Sequence, residues 1–408
     1  MSASGTIVVV GAGQAGGWAA RTLREEGYAG RIVVIGEERY PPYERPPLSK
    51  EVLLGKAPAE SCYLWPAESY DERRIELRLG QAARRILRAD KAVELEDGER
   101  IGYDKLMLAT GARVRTLPVA GIDLAGVHYL RAIPDTEAIR ADIAPGIRVL
   151  VVGGGWIGLE VAAAARMLGA EVVVVEALDR LCPRALAAEF AGHLLGIHRR
   201  HGVDVRLGAE VEALTGNGRV TGARRAGGRT VEASVVVIGI GIVPEVALAA
   251  EAGLEVENGI VVDQLGRTSD PDISAAGDAT CHPNGLLGRR IRLESWENAQ
   301  NQAIAAAKAM LGGTTPYNEI PWFWSDQYDV NIQLVGLPVE WDRTVTRGDR
   351  AADKFVEIYL KGERIEGAAA INEPRDIRFV RRLMQTGKAV DPARLADPAV
   401  KLQALLKG

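Results

Sequence analysis

Gly11-Ala12-Gly13-Gln14-Ala15-Gly16 and Gly153-Gly154-Gly155-Trp156-Ile157-Gly158 are two glycine-rich turns in one chain. Glycine at these spacings lets the backbone turn sharply and approach a ligand. A helix that starts there offers unpaired N–H groups and the positive end of its dipole to a pyrophosphate. The residues around each turn complete a nucleotide-binding unit. Thr6 to Val10 is an uninterrupted apolar run that predicts a buried strand, Ala15 to Glu26 predicts a helix, and Arg31 to Ile35 predicts a second strand leading to Glu37. Arg148 to Val152, Trp156 to Leu168 and Glu171 to Val175 repeat the pattern and lead to Glu176. In both copies the acid lies about 20 residues beyond the last glycine, where a carboxylate can accept hydrogen bonds from a ribose diol. The expectation is a chain that holds two dinucleotides, with Gly11, Gly13, Gly16 and Glu37 at one and Gly153, Gly155, Gly158 and Glu176 at the other.

The elements that position these turns need room. The chain of 408 residues accommodates two or three domains of about 100 to 200 residues each. No long linker or low-complexity stretch separates them, which predicts shared interfaces. A net charge of −4 argues against general nucleic-acid binding, which needs a basic surplus. No apolar run reaches the ~18 residues of a membrane span. Met1-Ser2-Ala3-Ser4-Gly5 passes into the first strand with no charged and apolar leader. Cys62, Cys182 and Cys281 are scattered and odd in number, which offers no disulfide framework and fits a reducing compartment. The expectation is a soluble cytoplasmic protein.

Two further segments carry small-residue turns. Tyr103-Asp104-Lys105-Leu106-Met107-Leu108-Ala109-Thr110-Gly111 reads as a strand ending where backbone can lie against a cofactor. Thr268 to Asp278 ends in Gly277-Asp278 and is open to two readings: Asp278 reaches the hydroxyls of a ribityl chain, or it caps a helix after a strand. The five histidines include His198-Arg199-Arg200-His201 on a predicted helix. No acid or cysteine completes a metal set there, so no metal is expected.

Taken in order, Gly11 to Gly16, Arg45-Pro46-Pro47-Leu48-Ser49-Lys50, Ala109-Thr110-Gly111, Gly153 to Glu160, Gly239-Ile240-Gly241, Thr268 to Asp278, Glu294-Ser295-Trp296 and Pro321-Trp322-Phe323-Trp324-Ser325-Asp326-Gln327 carry a resemblance over essentially the whole chain. The sequence resembles the FAD-dependent, NADH-using ferredoxin reductases of bacterial oxygenase systems, within the glutathione-reductase-like flavoproteins. The resemblance implies an α/β fold with two Rossmann-like dinucleotide-binding domains plus a C-terminal α+β domain. It implies an FAD domain built from 1–110 and 242–319, an NADH domain at 111–241 and a C-terminal domain at 320–408. Pro244-Glu245 departs from the Pro-Asn common in relatives.

By resemblance the first fingerprint holds FAD, bordered by Ala15, Glu37, Ala82, Thr110, Gly111, Arg131, Asp278 and Trp296, with Arg45 on the diphosphate side. The second holds NADH, with Ile157, Glu160, Arg184, Gly239 and Gly241 beside its glycines. Glu176 suits the free 2′-hydroxyl of NADH and would repel a 2′-phosphate. Arg180 and Arg184 read either as contacts to the adenosine or diphosphate or as solvated flanking residues. Lys50 follows a Pro-rich loop and a Ser49 expected to cap a helix. The resemblance implies that its ammonium approaches the flavin and pairs with Glu160, steadying negative charge on the reduced cofactor; a surface lysine is the bland alternative.

The acceptor follows from what is absent. Disulfide reductases of this fold carry a cysteine pair near Lys50 and NADH peroxidases a single cysteine there, whereas Cys62 lies about a dozen residues further on. Electrons are therefore expected to leave for an external acceptor; the resemblance implies that this is a [2Fe–2S] ferredoxin that feeds a Rieske dioxygenase or a haem monooxygenase, and the chain itself is expected to be a monomer or weak homodimer. Trp322 and Trp324, with Trp296, either line the electron route or simply pack a core. Arg289, Arg290 and Arg292 either face an acidic ferredoxin or sit in a solvated loop. Two other functions stay open: an NADH oxidase or quinone reductase acting on a small molecule, and a non-catalytic nucleotide-binding signalling protein.

Overall fold

The computed structural model describes residues 5–406; Met1 to Ser4, read above as leading into the first strand, lie outside the described residues. The chain forms two compact units. The first comprises the chain up to Glu44, Glu60–Arg113 and Val243–Pro321; the second comprises Arg45–Ala59, Val114–Ile242 and the chain from Trp322 on.

The first unit is built on a five-stranded parallel sheet in the order Ile273–Ala275, Lys105–Leu108, Thr6–Val10, Arg31–Gly36, Ile75–Leu79. Both faces are covered, which explains why the strands read as continuous apolar runs rather than alternating ones. On one face Ile7, Val9, Ile32 and Val34 pack under Ala15, Ala19 and Leu23 of the helix Gln14–Glu25, together with Ala303, Ala307 and Met310 of the helix Trp296–Met310. On the other, Val8, Val10, Val33 and Ile35 meet Ile86, Val93 and Leu254.

The second unit repeats the plan, with parallel strands Asp204–Arg206, Glu171–Val175, Arg148–Val152, Val235–Ile238 and Val127–Tyr129 in that order. It also carries an antiparallel five-stranded sheet, Trp322–Gln327, Val330–Gly336, Arg364–Ile371, Lys354–Lys361, Arg343–Asp349. One face of this sheet, through Val335, Val356 and Ile358, buries Ile377, Val380 and Leu383 of the helix Pro374–Thr386. The other face meets the helix Ala188–Arg200, where Phe355 lies 5.6 Å from Phe190 and 5.0 Å from His193 between ring centroids.

The predicted strands Thr6–Val10, Arg148–Val152 and Glu171–Val175 match residue for residue, and both fingerprint helices end one residue earlier than expected, at Glu25 and Met167. No helix among the described residues is long and apolar enough to cross a membrane.

Candidate active site

In each fingerprint the three glycines do different work. Gly11 holds φ +111° and Gly153 φ +109°, a left-handed region that a β-carbon disfavours. A Cβ on Gly16 would stand 1.8 Å from the Gly11 carbonyl oxygen, and one on Gly158 2.2 Å from that of Gly153, so both third glycines are demanded by packing. The middle glycines are not. A Cβ on Gly13 would meet nothing within 4 Å, and one on Gly155 only the Gly239 oxygen at 3.9 Å. Both have ordinary negative φ at a helix N-terminus, −88° and −84°. What a side chain would fill there is the cradle in front of the helix, the place a pyrophosphate occupies. The residues present therefore fit two dinucleotides.

Around the first cradle, in the first unit, Gln14 Nε2 donates to the Trp296 carbonyl oxygen at 2.9 Å. A Cβ on Gly277 would lie 3.1 Å from that of Ala15, which places the Gly277-Asp278 turn at the same helix start. Gly277 has φ +86° and its N–H donates to Gln302 Oε1 at 2.8 Å. The strand Ile273–Ala275 is followed by another strand, Thr280–Asn284, so the helix-capping reading of Asp278 does not hold; the turn joins two strands. Glu37 is exposed directly after its strand, and Ala82 lies half-buried beyond the neighbouring one. Thr110 Oγ1 donates to the Glu245 carbonyl oxygen at 2.6 Å and Glu245 N–H donates to the Gly111 oxygen at 2.9 Å, so the departure at Glu245 is absorbed by backbone contacts. Burial pushes the Glu44 carboxyl up, against a hydrogen bond from Trp296.

Arg45, Lys50 and Arg131, the other expected FAD contacts, belong to the second unit, where Arg45 Nη1 donates to the Arg131 carbonyl oxygen at 2.6 Å. At the second cradle both Glu176 oxygens accept backbone N–H groups, Oε2 from Gly154 at 2.6 Å and Oε1 from Leu178 at 2.8 Å. The carboxylate is thereby aimed, with lone pairs remaining for a diol. A Cβ on Gly239 would stand 3.2 Å from the Gly158 nitrogen, and one on Gly241, at φ +103°, 3.6 Å from Arg184 Nη2. Ile157 is 43% exposed at the helix start, an apolar surface beside the cradle.

The densest chemistry lies further along that helix. Lys50 Nζ and Glu160 Oε2 are 2.8 Å apart, with side chains 10% and 3% exposed. Ser49 ends a 3₁₀ turn, Pro46–Ser49, instead of capping a helix; its hydroxyl donates to the same Glu160 oxygen. Two prolines preset this turn, and Thr136 Oγ1 ties it down through the Leu48 carbonyl oxygen at 3.1 Å. On the other side Ser325 Oγ donates to Glu160 Oε1 at 2.6 Å, Gln327 Nε2 to Ser325 Oγ at 3.0 Å, and Gln327 Oε1 lies 2.7 Å from His198 Nε2. His198 Nδ1 is 3.1 Å from the Tyr328 hydroxyl. His198 is 0% exposed, and burial pushes it down to about 4, against the Gln327 hydrogen bond, so its ring is neutral near pH 7.

Trp322 and Trp324 stack with centroids 5.1 Å apart at 16°, held by indole hydrogen bonds to Gln333 and Asp326. Arg289 and Arg290 lie on a strand, Arg289–Ile291, not in a loop. Arg292 is 12% exposed and bound to Glu294 at 2.5 Å and Asn258 at 3.0 Å. Arg290 Nη1 is spent on the Val262 carbonyl oxygen at 3.1 Å.

Residues 5–303 match the family model for pyridine nucleotide-disulphide oxidoreductases, and 322–406 match the reductase C-terminal domain. The chain belongs to the pyridine nucleotide-disulphide oxidoreductase family. It is 46% identical to the anthranilate 1,2-dioxygenase system ferredoxin–NAD(+) reductase component of Burkholderia cepacia over 98% of this chain and 99% of that one. It is 43% identical to rhodocoxin reductase of Rhodococcus erythropolis, over 96% and 92%. The crystal structure of the covalent putidaredoxin reductase–putidaredoxin complex superposes with TM-score 0.96 at 38% identity, covering 99% and 98%.

The three cysteines of this oxidoreductase are buried thiols with no disulfide among them, and burial pushes the Cys182 thiol up. Ser325, Gln327 and Tyr328 received no role from the sequence, and neither Ser49 nor His198 was linked to Glu160. A signal for two of them was present. In a strand, residues two apart share a face, so Ser325 and Gln327 had to project together, opposite Trp322 and Trp324.

Proposed function

We propose that the chain is an NADH-dependent ferredoxin reductase whose [2Fe–2S] partner supplies a Rieske ring-hydroxylating dioxygenase or a haem monooxygenase, and that it works in the cytoplasm. FAD, when bound, supplies the redox chemistry, taking a hydride from NADH and releasing electrons one at a time to the ferredoxin. The observation that carries this reading is the buried Lys50–Glu160 pair, an ion pair in the region where thiol-dependent relatives carry their cysteines. The named partners of its ferredoxin-reducing relatives support the choice of acceptor.

The chain's own part is binding and orientation. Gly11, Gly13 and Gly16 open the helix end that faces the FAD diphosphate; Gly153, Gly155 and Gly158 do the same for NADH. Glu176 takes the ribose diol. Glu160 would hold the Lys50 ammonium in place toward the flavin, where a fixed positive charge favours the hydride acceptor. Trp322 and Trp324 present a stacked aromatic edge for outgoing electrons, and Arg289 offers a cation for an acidic partner.

Rapid mixing of FAD-loaded protein with NADH, followed by steady-state turnover with a [2Fe–2S] ferredoxin, tests the reading. Glu160→Gln and Lys50→Ala are expected to slow flavin reduction by about tenfold or more. Ferredoxin is expected to raise NADH consumption well above the rate with oxygen alone. Turnover that is no faster with any [2Fe–2S] ferredoxin than with oxygen or a quinone would make the chain an oxidase or quinone reductase.

A further inference from the structure

We propose that Gln327 and His198 are positioning residues for Glu160, links in a one-way hydrogen-bond chain that fixes the carboxylate against Lys50 and so sets the limiting rate of flavin reduction. The inference rests on the reading of the Lys50–Glu160 pair given above.

The direction of the chain follows from its atoms. Glu160 accepts throughout, from Lys50, Ser49 and Ser325. The Ser325 hydroxyl has one proton and donates it to Glu160 Oε1, so it must receive at its oxygen, and Gln327 Nε2 supplies that bond at 3.0 Å. The Gln327 amide is then oriented with Oε1 toward His198 Nε2, which must carry the ring proton. His198 Nδ1 is left as an acceptor for the Tyr328 hydroxyl at 3.1 Å. Each bond therefore points toward the carboxylate. A neutral histidine is required for this direction, because a protonated ring would donate at both nitrogens and reverse the bond to Tyr328. Burial holds His198 in that state.

Nothing local explains these polar groups. Ser325, Gln327 and His198 are all 1% exposed or less, on a strand and a helix far apart in sequence. Three polar side chains buried without a common acceptor would cost more than apolar residues of the same shape. At the far end Tyr328 is held at φ +59°, an uncommon conformation for a bulky residue, with its ring stacked 3.7 Å from His201. The hairpin end is constrained where it hands its hydroxyl to His198. Glu160 is thereby gripped from both sides: Oε2 by the 3₁₀ turn, Oε1 by the chain.

The test uses full-length, FAD-loaded protein and stopped-flow flavin reduction across NADH concentrations, which separates the limiting rate from the NADH dissociation constant. Ser325→Ala and Gln327→Glu are each expected to lower the limiting rate by about tenfold, equivalent to about 1.4 kcal/mol, with the dissociation constant changed by less than about twofold. Q327E keeps shape and the acceptor for His198 but loses the donor to Ser325, so a space-filling role would not predict its effect on rate. His198→Gln puts an amide N–H near the position of Nε2 and is expected to retain the parental rate, whereas His198→Asn falls short and is expected to behave like Q327E. Parental limiting rates in both S325A and Q327E overturn the proposal; if Q327E does not retain FAD, S325A, which removes one oxygen, decides alone. Glu160→Gln in the same experiment keeps the two readings apart. A slow E160Q beside parental S325A and Q327E leaves the ion pair standing and removes the chain, while a parental E160Q removes the ion-pair role itself.

Discussion

Glu176 shows how much one side chain does before a ligand arrives. Its two oxygens accept from the Gly154 and Leu178 N–H groups, so the carboxylate is held at the end of its strand, where the proposed ribose contact would be made. A 2′-phosphate would meet this charge directly, at a position where no rotation relieves the repulsion. The parent is therefore expected to prefer NADH over NADPH by at least about tenfold, or roughly 1.4 kcal/mol in kcat/KM. Glu176→Ser should shrink the preference and also raise KM for NADH, because two backbone N–H groups lose their acceptor. Equal use of both nucleotides by the parent would remove Glu176 from the specificity argument.

At the scale of the element, the strand–turn–helix units divide their glycines between fold and ligand. Gly16 sits where the helix crosses the Gly11 carbonyl, and a methyl there would overlap it. Gly13 faces open space with a φ any residue adopts. Gly16→Ala is accordingly expected to lower the melting temperature of the FAD-free protein or prevent folding. Gly13→Ala should leave that temperature within about 2 °C, since an unstrained surface-like change is worth less than ~0.5 kcal/mol, yet weaken FAD retention by about tenfold. Thermal unfolding of the apoprotein and fluorescence titration with FAD separate the two. If G13A binds FAD as tightly as the parent, the cofactor does not pass in front of this helix end.

Across the whole molecule, each unit buries one neutral histidine. Burial pushes His198 down to about 4 and, with the Arg290 charge nearby, His282 down to about 4, from an ordinary 6.5. The sign follows from linkage. The unfolded chain takes up these protons as pH falls through 6.5, and the folded protein resists until about 4, so the contribution to stability is complete above pH 6.5 and is lost between 6.5 and 4. The loss is on the order of 3 kcal/mol per histidine. Urea unfolding of the holoprotein between pH 4 and 7 should show a falling midpoint, and His198→Gln should flatten the slope. An unchanged slope in H198Q would mean that other groups govern acid stability.

Chain order was enough to locate both cradles, both acidic residues after them and the strands that carry them, because a buried parallel strand, a glycine turn and an amphipathic helix are each set by contacts within about 30 residues. The Lys50–Glu160 pair was reachable only through family likeness, since the two residues are 110 positions apart and the intervening sequence carries no local record of the contact. Ser325, Gln327 and His198 lay beyond even that. They are buried because the antiparallel sheet packs one face on the helix Ala188–Arg200. Arg292 went the other way: a basic residue in a basic cluster looked exposed, and only its pairing with Glu294 and Asn258 took it out of solvent. Local sequence determined which elements form and where a phosphate can lie. The tertiary structure decided which polar side chains lose water, and burial among specific partners is what turns a serine, an amide and an imidazole into a directed path to one carboxylate.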